Sequence, residues 1–214
     1  MLIEPEQKRA VGFFDGQNLY RHAKAAFGHY HPNFDPKKLF DALCLREGWT
    51  GRGIRFYTGV PGAVEDPMWH GYWNNRLLAM TRAGILVTKR PLRYHTVSVS
   101  NLDGSTGQER VAHEKGIDVR LALDVVRLAR QCQYDVAVIF SQDQDLAEVV
   151  KEVKDIAIEQ KRWIKAVSAF PAGPDATATR GIDGADWVKL ERPFYDSCLD
   201  PRDYRPKHLG SSTE

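Results

Sequence analysis

Four aspartates stand where an α/β chain places its chemistry. Asp15 closes the apolar run of residues 10–14, and Asp143 and Asp145 follow the run of residues 136–140. Asp118 opens a helical stretch in which Leu121, Val125, Leu128 and Cys132 recur at steps of four, three and four, forming one apolar stripe. Three residues before Leu121, Asp118 continues that stripe onto the first turn, where the helix dipole favours an acid. It is therefore expected to point at the edge of a sheet and not into water, whereas Asp124 lies off the stripe's flank. Carboxylates meeting at one edge repel each other and raise one another's pKa values. A divalent cation relieves the conflict, and oxygen ligands completed by water suit Mg²⁺ or Mn²⁺. Such an ion acidifies a bound water and stabilises charge building on a phosphoryl group. The chemistry implied is phosphodiester hydrolysis by an activated water, without a covalent intermediate. Singly, each acid has a structural alternative: Asp15-Gly16 as a turn, Asp118 or Asp143 as a helix N-cap, Asp145 as a first-turn acid. Convergence of three segments at one edge favours the chemical reading.

The elements that must position these acids alternate regularly. Apolar runs at residues 10–14, 53–57, 85–88, 136–140, 163–168 and 186–190 read as strands. Between them lie helical patterns: one through Leu19, Ala23 and Ala26, then residues 36–46 with Asp35 as N-cap and Gly48 as stop. Others follow at residues 66–83, 118–131 and 144–160. This is the signature of an α/β fold with a parallel sheet, in which ligands bind outside the carboxyl ends of the strands. Residues 92–113 break the rhythm, and alternation from Tyr94 to Val99 followed by Asp103-Gly104 and Gly107 predicts an inserted β-hairpin. Trp69, Tyr72 and Trp73, at helical spacing, read as core. Pro171, Gly173 and Pro174 mark a loop, and the stretch from Thr177 to Asp183 has no position that the pattern fixes. One domain over residues 1–192 is expected, with a poorly ordered tail over 193–214 punctuated by Pro193, Pro201 and Pro206.

Composition sets the outer limits. With 43% hydrophobic and 27% charged residues the chain can bury a core and is not disordered. No apolar run approaches the roughly 18 residues of a membrane span, and the N-terminus lacks a signal-peptide core. Cys44, Cys132 and Cys198 lack CxxC spacing, which argues against a disulfide framework and for a reducing, cytoplasmic setting. A net charge of +2 conceals a split: residues 1–117 hold 16 basic and 11 acidic side chains, residues 118–214 hold 14 and 17.

Three blocks of the chain resemble the signature blocks of NYN domains, a family of the PIN-like nuclease superfamily, and are most similar to its bacterial LabA-like branch. They are Phe14-Asp15-Gly16-Gln17-Asn18-Leu19, then Lys115-Gly116-Ile117-Asp118-Val119 with Asp124, and Ser141-Gln142-Asp143-Gln144-Asp145-Leu146. The resemblance spans roughly residues 10–190. It implies a three-layer α/β/α sandwich with a mostly parallel central sheet, and endoribonuclease activity dependent on Mg²⁺ or Mn²⁺. Carried over block by block, Asp15, Asp118 and Asp143 match the metal-binding acids, and Asn18 the polar residue of the first block. Asp145 matches a second acid of the third block that binds metal or supports the site. Asp124 matches a recurring acid of unassigned role, and Ser141 the hydroxyl that opens the third block. Gln142 departs from the usual small residue and is expected to narrow the site.

A polyanionic substrate requires a basic rim. Lys89, Arg90 and Arg93, followed by Tyr94 and His95, are the best candidates, with Lys115 placed to meet the scissile phosphate. Arg52 and Arg55 flank the second strand. The leading reading is a metal-dependent endoribonuclease acting on single-stranded or structured RNA. Two alternatives stand beside it: a catalytically silent RNA-binding or protein-interaction module, and a DNA nuclease. A homodimer is left open, and the sequence contains no recognisable reader of the 2′-hydroxyl.

Overall fold

The computed structural model describes residues 2–100 and 106–206. Six strands form one sheet: β1 (Lys8–Asp15), β2 (Trp49–Val60), β3 (Leu86–Pro91), β6 (Val136–Phe140), β7 (Lys165–Ala172) and β8 (Asp186–Glu191). Every pairing in it is parallel, in the order β3-β2-β1-β6-β7-β8. Two further strands, β4 (Arg93–Ser100) and β5 (Thr106–His113), pair antiparallel as the expected insert. The Asp103-Gly104 turn assigned to that hairpin lies outside the described residues.

Strand alternation divides the core into two layers. Val136, Val138 and Phe140 of β6 join Ala10 and Phe14 of β1 in a cluster with Leu19 and Ala23 of α1 (Gly16–Phe27), Leu39 and Phe40 of α2 (Pro36–Glu47), and Leu77 of α3 (Pro67–Arg82). Ala137 and Ile139 face the other way with Val11 and Phe13. There they meet Leu121 and Val125 of α4 (Ile117–Arg130) and Val150 and Val153 of α5 (Ala147–Glu159). The result is the expected α/β/α sandwich. Local signals set its boundaries: the Asp35 side chain accepts from Lys37 N and Lys38 N, Pro36 opens α2, and Gly48 closes it at φ 71°. Among the described residues no helix is long and apolar enough to cross a membrane.

Two departures matter. The helix expected over residues 144–160 begins with a 3₁₀ turn, Gln144–Leu146, before α5. The segment expected to be a loose tail instead packs, through residue 206, against the domain. It starts with α6 (Arg192–Asp196), whose fully buried Tyr195 donates its hydroxyl to Pro32 O at 2.8 Å. Leu199 then bridges to Phe34, and Asp200 accepts from the Tyr204 hydroxyl at 2.8 Å. The prolines mark turns as expected, but isolated Tyr195, Cys198 and Tyr204 bury apolar surface that no period reveals.

Candidate functional site

Strand parity places the first acid. Val11 and Phe13 face α4, so Asp15, two residues on at the carboxyl end of β1, takes the same side; Ser141 follows Ala137 and Ile139 in the same way off β6. These two adjacent strands are where the chain reverses its winding direction, the switch point at which open α/β sheets bind ligands. Asp15 is only 8% exposed. Its Oδ1 accepts from Asn18 N at 3.1 Å, capping α1, and its Oδ2 accepts from Ser141 Oγ at 3.3 Å. Gly16 is required here because a Cβ on it would lie 2.6 Å from Cζ of Phe56. Burial, with the nearby charges of Asp143 and Asp118, pushes the Asp15 carboxyl up to about 6 against the opposing bonds from Asn18 and Ser141.

Ser141 and Asn18 tie the blocks together. Ser141 Oγ accepts from Asp143 N at 3.1 Å, and Asn18 Oδ1 accepts from Gln142 N at 3.1 Å. Asp143 also caps the 3₁₀ turn by accepting from Asp145 N at 3.0 Å, while Asp145 itself is exposed. Asp118 sits in the first turn of α4, whose N-cap is Gly116 at φ 73° without a side-chain bond. Contrary to expectation it is exposed, because the buried stripe runs back from Leu121 to Ile117, four residues away, and not to Asp118. Its charge is nevertheless felt by Asp15.

Asp124 has other company. Only 2% exposed, it accepts from Tyr57 Oη at 2.9 Å and from Arg127 Nη2 at 2.8 Å, and pairs with Arg120 and, at 3.7 Å, with Arg55. The larger Gln142 does not narrow the site either. Its Nε2 turns away to donate to Ala178 O at 3.1 Å and Arg180 O at 2.8 Å, and Gln144 Nε2 donates to Gly181 O at 3.0 Å. The loop that the sequence pattern left unplaced is thus pinned beside the third block.

Sequence reasoning missed Glu114. Half-buried just past β5, it is pushed up to about 7 by burial and then by the charge of Asp15, against a bond from Gly59 N–H. Its Oε1 is buried without a hydrogen-bond partner among the described residues. The available signal was its place directly before Lys115 at a third element junction. His22 of α1 was missed as well: burial holds its imidazole below the usual range, while Asp143 acts in the opposite direction.

Among the described residues, no three His, Cys, Asp or Glu groups lie close enough to share one ion. The donor chemistry does fit a hard cation. Asp15, Asp118, Asp143 and Glu114 offer oxygen only, one buried carboxylate oxygen is orphaned, and none of the four has a salt-bridge partner among the described residues. Such a set suits Mg²⁺ or Mn²⁺ held by one or two carboxylates and retaining several waters, not a closed protein cage.

Lys89, Arg90, Arg93, Lys115 and Arg52 are exposed, and Arg55 is half-buried. Arg90 pairs in register with Gly59, and its guanidinium lies against Gly116, where an added Cβ would come within 2.8 Å of Nη1. Arg93 pairs with His113 at the base of the hairpin, and Lys89 Nζ donates to Asn74 Oδ1 at 2.9 Å. Lys115 directly precedes Gly116. Arg52 lies toward the opposite end of β2, and Arg55 is engaged by Asp124.

Residues 9–170 match the sequence profile of the NYN domain. No curated protein matches the chain in sequence. A solved protein of unknown function from Vibrio parahaemolyticus RIMD 2210633 superposes with a TM-score of 0.54 at 20% identity, covering 89% of this chain and 98% of that one. MurG of Acinetobacter baumannii reaches a TM-score of 0.32 at 12% identity, over 85% of this chain and 45% of its own. The first shares the fold; the second carries no argument.

Proposed function

The chain belongs to the NYN domain family, and on that premise we propose that it is a metal-dependent endoribonuclease of the LabA-like branch. The observation that carries the reading is the junction of the first and third blocks at the switch point, where Ser141 Oγ donates to Asp15 at 3.3 Å and accepts from Asp143 N at 3.1 Å. Asp15 and Asp143 would hold Mg²⁺ or Mn²⁺, with Asp118, Asp145 and Glu114 orienting its waters. When bound, the ion supplies an acidified water and charge neutralisation at the phosphoryl oxygens. Asn18 and Ser141 fix the Asp15 carboxylate against rotation. Glu114, with a carboxyl at about 7, is suited to take up a proton on its Oε1, which has no hydrogen-bond partner among the described residues. Lys115 and Arg90, on either side of Gly116, bind the phosphate strand, with Lys89 and Arg93 farther along the rim.

Incubation of the purified protein with single-stranded RNA tests the reading. Cleavage is expected with Mg²⁺ or Mn²⁺ and not with EDTA, and Asp143→Asn should lower it at least about a hundredfold. Unchanged cleavage by that variant sinks the assignment. A parallel digest of DNA of the same sequence tests the DNA nuclease alternative. The absence of a closed three-ligand cluster among the described residues favours one other reading, a silent RNA-binding module. That reading requires tight binding that ignores EDTA, with no turnover in any metal.

A further inference from the structure

Across the N-terminus of α1 from the acids lies a cavity of about 840 Å³, within the range of small-molecule sites. Gly16 and Gln17, the two residues after Asp15, form part of its wall, so it opens beside the proposed cleavage site. Three of its properties select a ligand.

The first is an aromatic wall. Trp69, expected to be core, is 36% exposed on the cavity side of α3, and the edge of Tyr72 props it at 5.1 Å and 73°. A rigid, half-open indole is a stacking surface for a base. The second is a buried, incompletely satisfied cation. Arg76 is 2% exposed; its Nη2 donates to Phe34 O at 2.9 Å and its Nη1 to Asn33 Oδ1 at 3.2 Å and Tyr72 Oη at 3.5 Å, all neutral acceptors, and its guanidinium lies over the rings of Phe34 and Trp73. Its Nε has no hydrogen-bond partner among the described residues. Aromatic faces and neutral oxygens leave this buried guanidinium without an anionic partner among the described residues, and a phosphate oxygen supplies one. The third is charge. Arg202 and Arg205 on the wall are paired with Asp200 and Asp203, which leaves Arg21 and Arg76 as surplus positive charge. Arg21 is exposed and donates to Gln17 Oε1 at 3.0 Å, beside the residue that the two sites share.

We infer that this cavity receives one unpaired nucleotide of the RNA strand, its base stacked on Trp69 and its polar oxygens held by Arg76 and Arg21. The inference rests on the nuclease reading for its choice of a strand over a free nucleotide. It makes the enzyme selective for single-stranded RNA, because a base inside a duplex cannot leave its stack to enter without an energetic cost.

Binding is measured in EDTA, where cleavage does not run, by fluorescence anisotropy with a short labelled single-stranded RNA of mixed sequence. Trp69→Ala is expected to weaken binding about tenfold, as loss of one stacked base does, and Trp69→Phe to restore most of it. Arg21→Ala, at an exposed position, should weaken it several-fold. A duplex of the same sequence should bind the Trp69→Ala and wild-type proteins equally. Unchanged affinity in Trp69→Ala overturns the proposal. So does competition by adenosine or uridine 5′-monophosphate at concentrations as low as the strand itself, since the cavity would then serve a free nucleotide. Loss of binding in Trp69→Ala alongside a wild-type protein inert in Mn²⁺ would refute the nuclease reading and retain the cavity. Active cleavage with unchanged Trp69→Ala binding would do the reverse.

Discussion

Asp124 sits among Tyr57, Arg120 and Arg127, whereas Asp15, equally withdrawn from water, faces Asp143 and Asp118. The same side chain therefore has opposite energetic signs at two positions. Burial and like charge raise the Asp15 carboxyl from 3.8 to about 6. The folded chain thus holds this proton more tightly than the unfolded chain, so stability on account of Asp15 is full below about pH 4 and falls as pH rises toward 6. At neutral pH the ionised group costs up to about 3 kcal/mol. Asp15→Asn keeps an acceptor for Asn18 N and removes the charge; measured by thermal unfolding in EDTA, it should raise Tm. Added Mn²⁺ should raise the Tm of the wild type and leave that of Asp15→Asn nearly unchanged. Asp124→Asn should instead lower stability by about 2–4 kcal/mol, because it breaks a buried acid's bonds to three cationic or hydroxyl partners. A fall in Tm for Asp15→Asn would mean that its site relieves the charge in some other way.

Elements were legible wherever one local signal decided them. Asp35-Pro36 and Gly48 bound α2 within a residue of the expected limits, and the strand runs lie within β1, β2, β6 and β8, because capping and alternation are short-range. Asp15, Asn18, Asp143 and Ser141 were legible for the same reason: a strand end is a local event, and the structure brings these four together. Asp118's direction was not, since a choice between Asp118 and Ile117 as the end of the stripe depends on what the sheet presents to α4. Glu114 was hidden because it packs against Gly59 on a strand distant in sequence. Gln142 was misjudged for the converse reason: its Nε2 is taken up by carbonyls 36 and 38 residues away. That last contact predicts an element-scale effect. Gln142→Ala should speed amide hydrogen exchange across residues 176–183 by about tenfold or more, the loss of two bonds worth about 1 kcal/mol each. Ser168 Oγ, which still accepts from Ile182 N at 3.1 Å, should keep protection at Ile182. Uniform exchange in the variant and the wild type would show that the loop is held by other contacts.

For the whole molecule, the near-neutral charge of +2 is the sum of two separated regions. Acids collect where β1 and β6 part, while Arg90 and Lys115 flank Gly116 on one side and Arg21 and Arg76 line the cavity on the other. A strand crossing the site would then pass from cation to acid to cation, and only the cationic stations release counterions. Three or four phosphate contacts give a slope of log affinity against log salt of about −2 to −3 for single-stranded RNA. This is far shallower than for a uniformly basic nucleic-acid binder. Lys115→Ala and Arg93→Ala should each flatten that slope by about 0.7, the share of one phosphate contact. Trp69→Ala should shift the whole line downward and leave its slope alone, because stacking releases no counterion. Binding measured in EDTA between low and physiological salt separates the two behaviours. A slope near zero in the wild type would remove the phosphate rim from the account, and a flattened slope in Trp69→Ala would mean that its loss displaces the strand from the rim as well.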